Sequence, residues 1–466
     1  MQPAEGYFRA LFSAAVTLTL AILGSSLLPV PYAFSKTGVL LGLLVMLVVA
    51  GSNCLTSLLL LKAAGKTGHD SYEGMALAIG GPTWKVLTQI SLILLLFGTI
   101  VGDFALISDV SARAFKNLAA PDTPPAWLVA YNGRGTMCLF ALIAVFPLCC
   151  LKGMRQLEAV ATVGVVVILG VLAVIVQSSI HAGLPAIASG ELPLWKFQSA
   201  GQLPEAFVVL GFAFYLQPMM MPLLHDMPPG PTGLAITSTA VKIVILGVAC
   251  VVYGTIGVFG AARFGQATEG DCLVNTWLGG RREGWMDLAM TLFLSISIPP
   301  MQISLRYTLD SLVAGEDAPF QLKRHMAETS GIVVSSLLVA LIFPAYAEKI
   351  FAITGATAVC IVCYVIPVGL HFKMRANEKL GSPILSQIEQ EQREVQALLL
   401  PNGDDDRDPD IHLTVRSSVE SDQQSDSTLN QCWQTIYQVV LPVAVVLLGV
   451  SLSLAALFTT CKQLLA

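Results

Sequence analysis

Charge is what this chain has least of. Asp, Glu, Lys and Arg make up 12% of its 466 residues, against 55% hydrophobic residues. A soluble domain carries about a quarter charged residues, so the deficit excludes an ordinary water-soluble globule. No basic patch is present, which excludes nucleic acid as a partner. No basic run precedes a short apolar core at the N-terminus, so a cleaved signal peptide is not expected and the first apolar stretch should remain as an anchor. No Asn-x-Ser/Thr sequon occurs. The 10 cysteines form no disulfide framework, because Cys54, Cys149, Cys150, Cys250, Cys360 and Cys363 fall inside apolar runs, where cysteine acts as a small hydrophobe. Cys360-x-x-Cys363 has the spacing of a metal or redox pair, but no second pair or histidine accompanies it. The histidines (His69, His181, His225, His325, His371, His412) lie mostly in loops or at the edges of apolar runs, and none pairs with Cys or Glu at ligand spacing. An enzyme centre, a bound cofactor and a structural metal are therefore not expected. A channel is excluded as well, since no apolar run carries a continuous polar stripe.

What the chain does have is long apolar runs. A span needs about 20 apolar residues, and eleven such runs are present, near 9–34, 38–62, 85–112, 135–151, 157–180, 203–224, 235–262, 285–312, 328–346, 350–372 and 436–460. We number them spans 1 to 11. Pro344 and the polar stretch to Lys349 separate spans 9 and 10. The fold class is an all-α polytopic membrane protein. Lys and Arg favour cytoplasmic flanks; Arg9, Lys62, Lys66, Lys85, Lys152, Arg155, Lys323, Arg324, Lys373, Arg375 and Lys379 fall on one side against nine basic residues on the other, a small excess that predicts a cytoplasmic N-terminus and an extracellular or lumenal C-terminus. Three regions follow: a membrane-spanning core of spans 1–10 over 1–372, an acidic cytoplasmic loop over 373–432, and span 11 with the C-terminus over 433–466. The loop holds Asp404, Asp405, Asp406 and a run of serines, too polar to bury an apolar face, and is expected to be disordered. Within it, Glu394 followed by Leu398-Leu399 fits an acidic dileucine sorting signal for adaptor proteins. The plasma membrane or an endosomal, lysosomal or vacuolar membrane is the expected location.

Two spans break in the middle. Span 1 reads Gly24-Ser25-Ser26-Leu-Leu-Pro29-Val-Pro31-Tyr-Ala-Phe34, and span 6 reads Phe212-Ala-Phe214-Tyr-Leu-Gln217-Pro218-Met-Met-Met-Pro222. Proline removes a helical hydrogen bond, and lipid offers no replacement, so a broken span must lie in protein or line a cavity. Spans 1–5 and 6–10 each begin with a break, as expected of two inverted five-helix repeats with span 11 added. Freed amides at Gly24–Ser26, with the Ser25 and Ser26 hydroxyls, would suit a substrate carboxylate; small residues that let helices pack closely are the alternative. Phe212 and Phe214 would wall a substrate side chain or simply fill the core. Gln217 places an amide at the second break, where it needs a partner. Asp103 sits inside span 3, and an intramembrane carboxylate marks a functional site by default, either as a proton carrier or as a partner for a cationic substrate; a structural hydrogen bond to a neighbouring helix is the alternative.

In order and spacing these pieces resemble the amino acid/auxin permease family, and the sodium-coupled neutral amino acid transporters within it. Gly24–Phe34 resembles the family's first-span element, Phe97-Gly98-Thr99 with Asp109 its third, Phe212–Asp226 its sixth, and Ile353-Thr354-Gly355-Ala356-Thr357 its tenth. The resemblance implies a LeuT-type fold, an amino-acid substrate and coupling to Na+ or H+. In span 8, Ser297, beside Ser295 and two residues before Pro299, stands where the family has a sodium-ligating Thr. With span 1 carbonyls near Leu20 and Leu23 it would form a cation site; a Ser bonded to its own helix is the alternative. Leu20 also stands where the sodium-coupled relatives have Asn, and the second glycine of the first element is Ser26. The loss of that Asn, together with Asp103, favours proton over sodium coupling. A sensor that keeps the fold and signals through the 373–432 loop is the rival to a transporter.

Overall fold

The computed structural model describes residues 2–120, 122, 124–194, 202–315, 319–342, 353–379 and 436–465, and every regular element among them is helical. Ten helices are long and apolar enough to cross a bilayer, and Gly133–Cys149 is a shorter apolar eleventh. These eleven match the sequence spans, because in hydrocarbon only a helix satisfies its own backbone. The spans are longer than their apolar cores. Span 3 runs from Pro82 to Ala119, 38 residues, or about 57 Å at 1.5 Å per residue. Its far end therefore carries Arg113 beyond the apolar layer. Span 4 begins earlier than the hydropathy indicates, at Ala126, and widens at Ala141–Val145 before ending at Cys149. Span 10 continues to Lys379. The Pro344–Lys349 turn and the sorting signal at Glu394, Leu398 and Leu399 lie outside the described residues.

Both breaks are real. Span 1 is a helix to Leu23, a tight turn over Ser25–Leu27, and a second helix over Val30–Thr37 that opens with prolines at its N-terminus, where a missing N–H costs nothing. Span 6 is helical over Leu203–Ala213 and again over Gln217–His225. Neither break faces lipid. Ser25, Ser26 and Leu27 are buried, as are Phe214, Tyr215 and Leu216. Span 6 is the most enclosed of all, with 94% of its apolar window buried, against 28% for spans 5 and 11. Spans 1, 2, 7, 8, 10 and 11 pack around it, which leaves little of span 6 to face lipid.

A buried arginine closes one end of the bundle. Arg306, near the end of span 8, donates to the carbonyls of Cys149 (3.1 Å), Leu151 (3.1 Å) and Lys152 (2.9 Å), and reaches the Thr329 hydroxyl at 3.3 Å. Carbonyls at a helix C-terminus lack intrahelical partners, and a cation there is favoured by the helix dipole. One guanidinium thus ties spans 4, 8 and 9 together.

Candidate substrate and ion site

The two breaks are stitched to each other by a tyrosine of span 7. The Tyr253 hydroxyl lies 2.9 Å from the Ala213 carbonyl, where span 6 stops, and 3.0 Å from Ser26 Oγ at the span 1 break. It also contacts the Ile22 carbonyl, which Ser26 Oγ donates to at 3.0 Å. One hydroxyl hydrogen serves one carbonyl at a time, so Ser26 and Tyr253 divide the two between them. The Phe214 ring packs edge-on against Tyr253 at 5.0 Å. Ser26 and Phe214 are therefore held in the joint between the helices. Sequence reading missed Tyr253; a polar aromatic in the middle of span 7 was the available signal.

Gln217 has a comparable commitment. Its Nε2 donates to Thr56 Oγ1 at 2.9 Å and lies 3.3 Å from Asn53 Oδ1, while its Oε1 accepts the Leu216 amide at 3.0 Å. Asn53 in turn donates to the Tyr364 hydroxyl at 2.9 Å. The amide thus caps the span 6 break and ties it to spans 2 and 10, rather than standing open at a cavity. An intramembrane Asn in span 2 was visible in the sequence, but nothing there says which helix it faces.

Asp103 and Ser25 differ from these residues. Both are buried, and neither Asp103 Oδ1, Asp103 Oδ2 nor Ser25 Oγ has a hydrogen-bond partner among the described residues. They are neighbours without reaching hydrogen-bonding geometry, and Tyr215 and Thr99 adjoin the same place. Uncompensated burial of polar groups is costly. Two such groups side by side at a helix break therefore mark a place for something that pairs with them. Phe212 stacks obliquely on Tyr215 at 5.3 Å and borders Gly355 of span 10, so it lines the outer side of the same region.

Span 8 completes the arrangement. A Cβ placed on Gly24 would sit 3.6 Å from Ser297 Oγ and 3.3 Å from Met301 Cε, so the span 1 break lies directly against Ser297. Ser297 donates to Leu294 O at 2.9 Å and Ser295 to Thr291 O at 2.8 Å, both within their own helix, and each hydroxyl oxygen keeps its lone pairs. Leu20 turns toward Gly164 of span 5, which Ile296 of span 8 also approaches. Leu23 is wholly buried at the end of the first half-helix. Among the described residues no group of three His, Cys, Asp or Glu could hold a metal ion. Cys360 and Cys363 are buried free thiols.

A cavity of about 430 Å³ leads toward the breaks from one side only as far as Leu96 and Pro218. Its mouth carries Asp70 and His225, paired at 2.6 Å between Oδ2 and Nδ1. The His225 hydrogen bond holds the Asp70 carboxyl below the usual carboxylate range. The cavity opens among the loops that follow spans 2, 6 and 8, the side with the small excess of basic flanks.

A sequence family described as transmembrane amino acid transporter protein matches residues 10–386. The chain belongs to that family. Among similar proteins is solute carrier family 38 member 10 of Homo sapiens, 24% identical over 387 residues, 78% of this chain and 32% of that protein. The putative sodium-coupled neutral amino acid transporter 10 of Xenopus laevis is 23% identical over 365 residues, covering 76% of this chain and 34% of that one. Amino acid transporter AVT6C of Arabidopsis thaliana is 23% identical over 401 residues, 79% of this chain and 88% of that protein. The chain thus spans about a third of the length of the first two. Family and relatives are transporters rather than enzymes, in line with the absence of an expected catalytic centre in the sequence.

Proposed function

We propose that the chain is a secondary active transporter of amino acids, working by alternating access around the paired breaks of spans 1 and 6. The observation that carries this reading is the pair of unpartnered groups, Ser25 and Asp103, set against the span 1 break. In it, the amides near Gly24–Ser26 and the Ser25 hydroxyl receive the substrate carboxylate, and Phe212 and Tyr215 border its side chain. The vestibule past Asp70 and His225 is the exit toward the cytoplasm.

Coupling by protons rests on Asp103. An intramembrane charge costs at least about 2.5 kcal/mol, and Asp103 forms no ion pair among the described residues. It is thus best accommodated neutral while the site is closed, and can lose its proton once water reaches it. Sodium coupling is the second reading. It is favoured by Ser297 beside Gly24 and by relatives named as sodium-coupled. Uptake into proteoliposomes separates the two. Under the proton reading an inward pH gradient drives accumulation in sodium-free buffer, and Asp103→Asn keeps exchange but loses accumulation. Strict sodium dependence, lost in Ser297→Ala and untouched by Asp103→Asn, overturns it.

A further inference from the structure

The side opposite the vestibule is closed by the segment between spans 7 and 8, residues 268–279. Its Cys272 amide donates to the Leu28 carbonyl of the span 1 break at 3.3 Å. Its Trp277 is buried, donates to Cys272 O at 2.9 Å and stacks edge-on with Phe264 at 4.7 Å. Cys272 and Leu273 are buried as well. A loop that completes the hydrogen bonding of the break cannot stay in place when substrate enters from that side.

The fastening of this lid is unusual in its charges. Arg113 of span 3 reaches Asp271 of the lid at 3.4 Å, while its Nε has no acceptor among the described residues. Asp287 of span 8 lies within electrostatic reach of the same guanidinium without an ion pair to it, is 1% exposed, and has no hydrogen-bond partner for either carboxylate oxygen among the described residues. The other groups facing Asp287 are Asn117 of span 3, Asp271 of the lid, and Glu283 one turn earlier on its own helix. Glu283 is spent on the lid, accepting the Trp277 amide at 3.1 Å, Leu278 at 2.6 Å and Gly279 at 3.0 Å. Two carboxylates therefore compete for one guanidinium, and in the closed arrangement the lid's carboxylate has it.

We propose that Arg113, Asp271 and Asp287 form a proton-sensitive latch on this lid: with the lid closed Arg113 pairs with Asp271 and Asp287 carries a proton, and opening passes Arg113 to Asp287, which releases that proton to the outer water. A buried carboxylate without a partner pays the full cost of its charge, whereas a paired one does not, so the sign follows. The closed lid holds one more proton than the open lid. Closure is favoured as the outer pH falls and opening as it rises, by up to about tenfold in the open-to-closed ratio per pH unit where one proton is exchanged. The latch rests on the alternating-access reading. It is independent of substrate and coupling ion.

Cys272 reports the lid directly, because it is a buried free thiol. The full chain in proteoliposomes is exposed to a membrane-impermeant maleimide at a series of outer pH values, and modification at Cys272 is read by peptide mass spectrometry. Each rate is divided by that of the same protein unfolded in detergent, which removes the thiol's own titration. The latch predicts a normalised rate that climbs with pH in the unaltered chain. It predicts a rate independent of pH in Asp287→Asn, and a raised rate at every pH in Asp271→Asn. Arg113→Gln, which removes the shared cation, should also flatten the pH profile. A flat profile in the unaltered chain, a profile that persists in Asp287→Asn and Arg113→Gln, or an Asp271→Asn lid as slow as the original overturns the proposal. No transport is measured, so failure here and failure of the transport reading are told apart.

Discussion

Replacing Tyr253 by Phe removes a single oxygen and tests the joint between the broken spans. That oxygen reaches the Ala213 carbonyl at 2.9 Å and Ser26 Oγ at 3.0 Å, and contacts the Ile22 carbonyl. Ser26 still donates to Ile22 in the variant, so one carbonyl, that of Ala213, is orphaned in a wholly buried place. Leaving one buried acceptor unsatisfied costs about 1–3 kcal/mol. The ring remains, so the contact with Phe214 and the packing volume are kept. If the joint exists only while the lid is closed, that energy becomes a shift of roughly 5–150-fold in the balance between closed and open forms. Two measurements check it: thermal melting in detergent should fall, and the apparent substrate affinity in proteoliposomes should change by a factor in that range. A Ser26→Ala, Tyr253→Phe double-mutant cycle should show coupling, since the two hydroxyls share one carbonyl. Melting and uptake both indistinguishable from the unaltered protein would refute the reasoning, as would strict additivity of the two substitutions.

Three further outcomes are expected. Gly24→Ala should retain most uptake, because its methyl meets only the movable end of Met301 at 3.3 Å, while Gly24→Val should abolish uptake at normal membrane abundance by crowding Ser297; equal uptake by both would remove the span 1 break as the cradle. Arg306→Ala strips the partners from three carbonyls and should cost at least about 3 kcal/mol, seen as a sharp loss of thermal stability, and Arg306→Lys should recover only part, since an ammonium lacks the forked geometry. Leu398→Ala with Leu399→Ala should move the protein from internal membranes toward the cell surface if the Glu394 motif is read by adaptors, and an unchanged distribution by microscopy would return the motif to chance.

The fold was legible because its two determinants are local. Apolar runs of sufficient length specify spans, and Gly24, Pro29, Pro31 and Pro218 mark breaks wherever they fall in such runs. The site was only partly legible, because side-chain direction is not local. Gln217 and Asp103 look equally conspicuous as polar residues in apolar surroundings. Gln217 faces Asn53 and Thr56 and is satisfied by them, while Asp103 faces a serine that does not reach it. Only the packing of spans 2, 3 and 6 decides between these fates. The lid was invisible for a different reason. Residues 268–279 fall between the apolar runs of spans 7 and 8, and the Cys272 amide is fixed by the carbonyl of Leu28, far away in sequence.

That separation bears on how the protein is made. The Ile22 carbonyl takes its contact from Tyr253, 231 positions further on. At about 5–20 residues per second, the ribosome delivers Tyr253 some 10–50 s after Ile22, and Cys272 later still. Span 1 therefore enters the bilayer already interrupted by Pro29 and Pro31 but without the residues that complete the hydrogen bonding of its break, which must wait until span 7 arrives. The hydrogen bonding of the break is then completed late in biogenesis, although Gly24, Pro29 and Pro31 mark its place from the start, and a chain halted before span 7 would leave the Ile22 carbonyl without its Tyr253 contact.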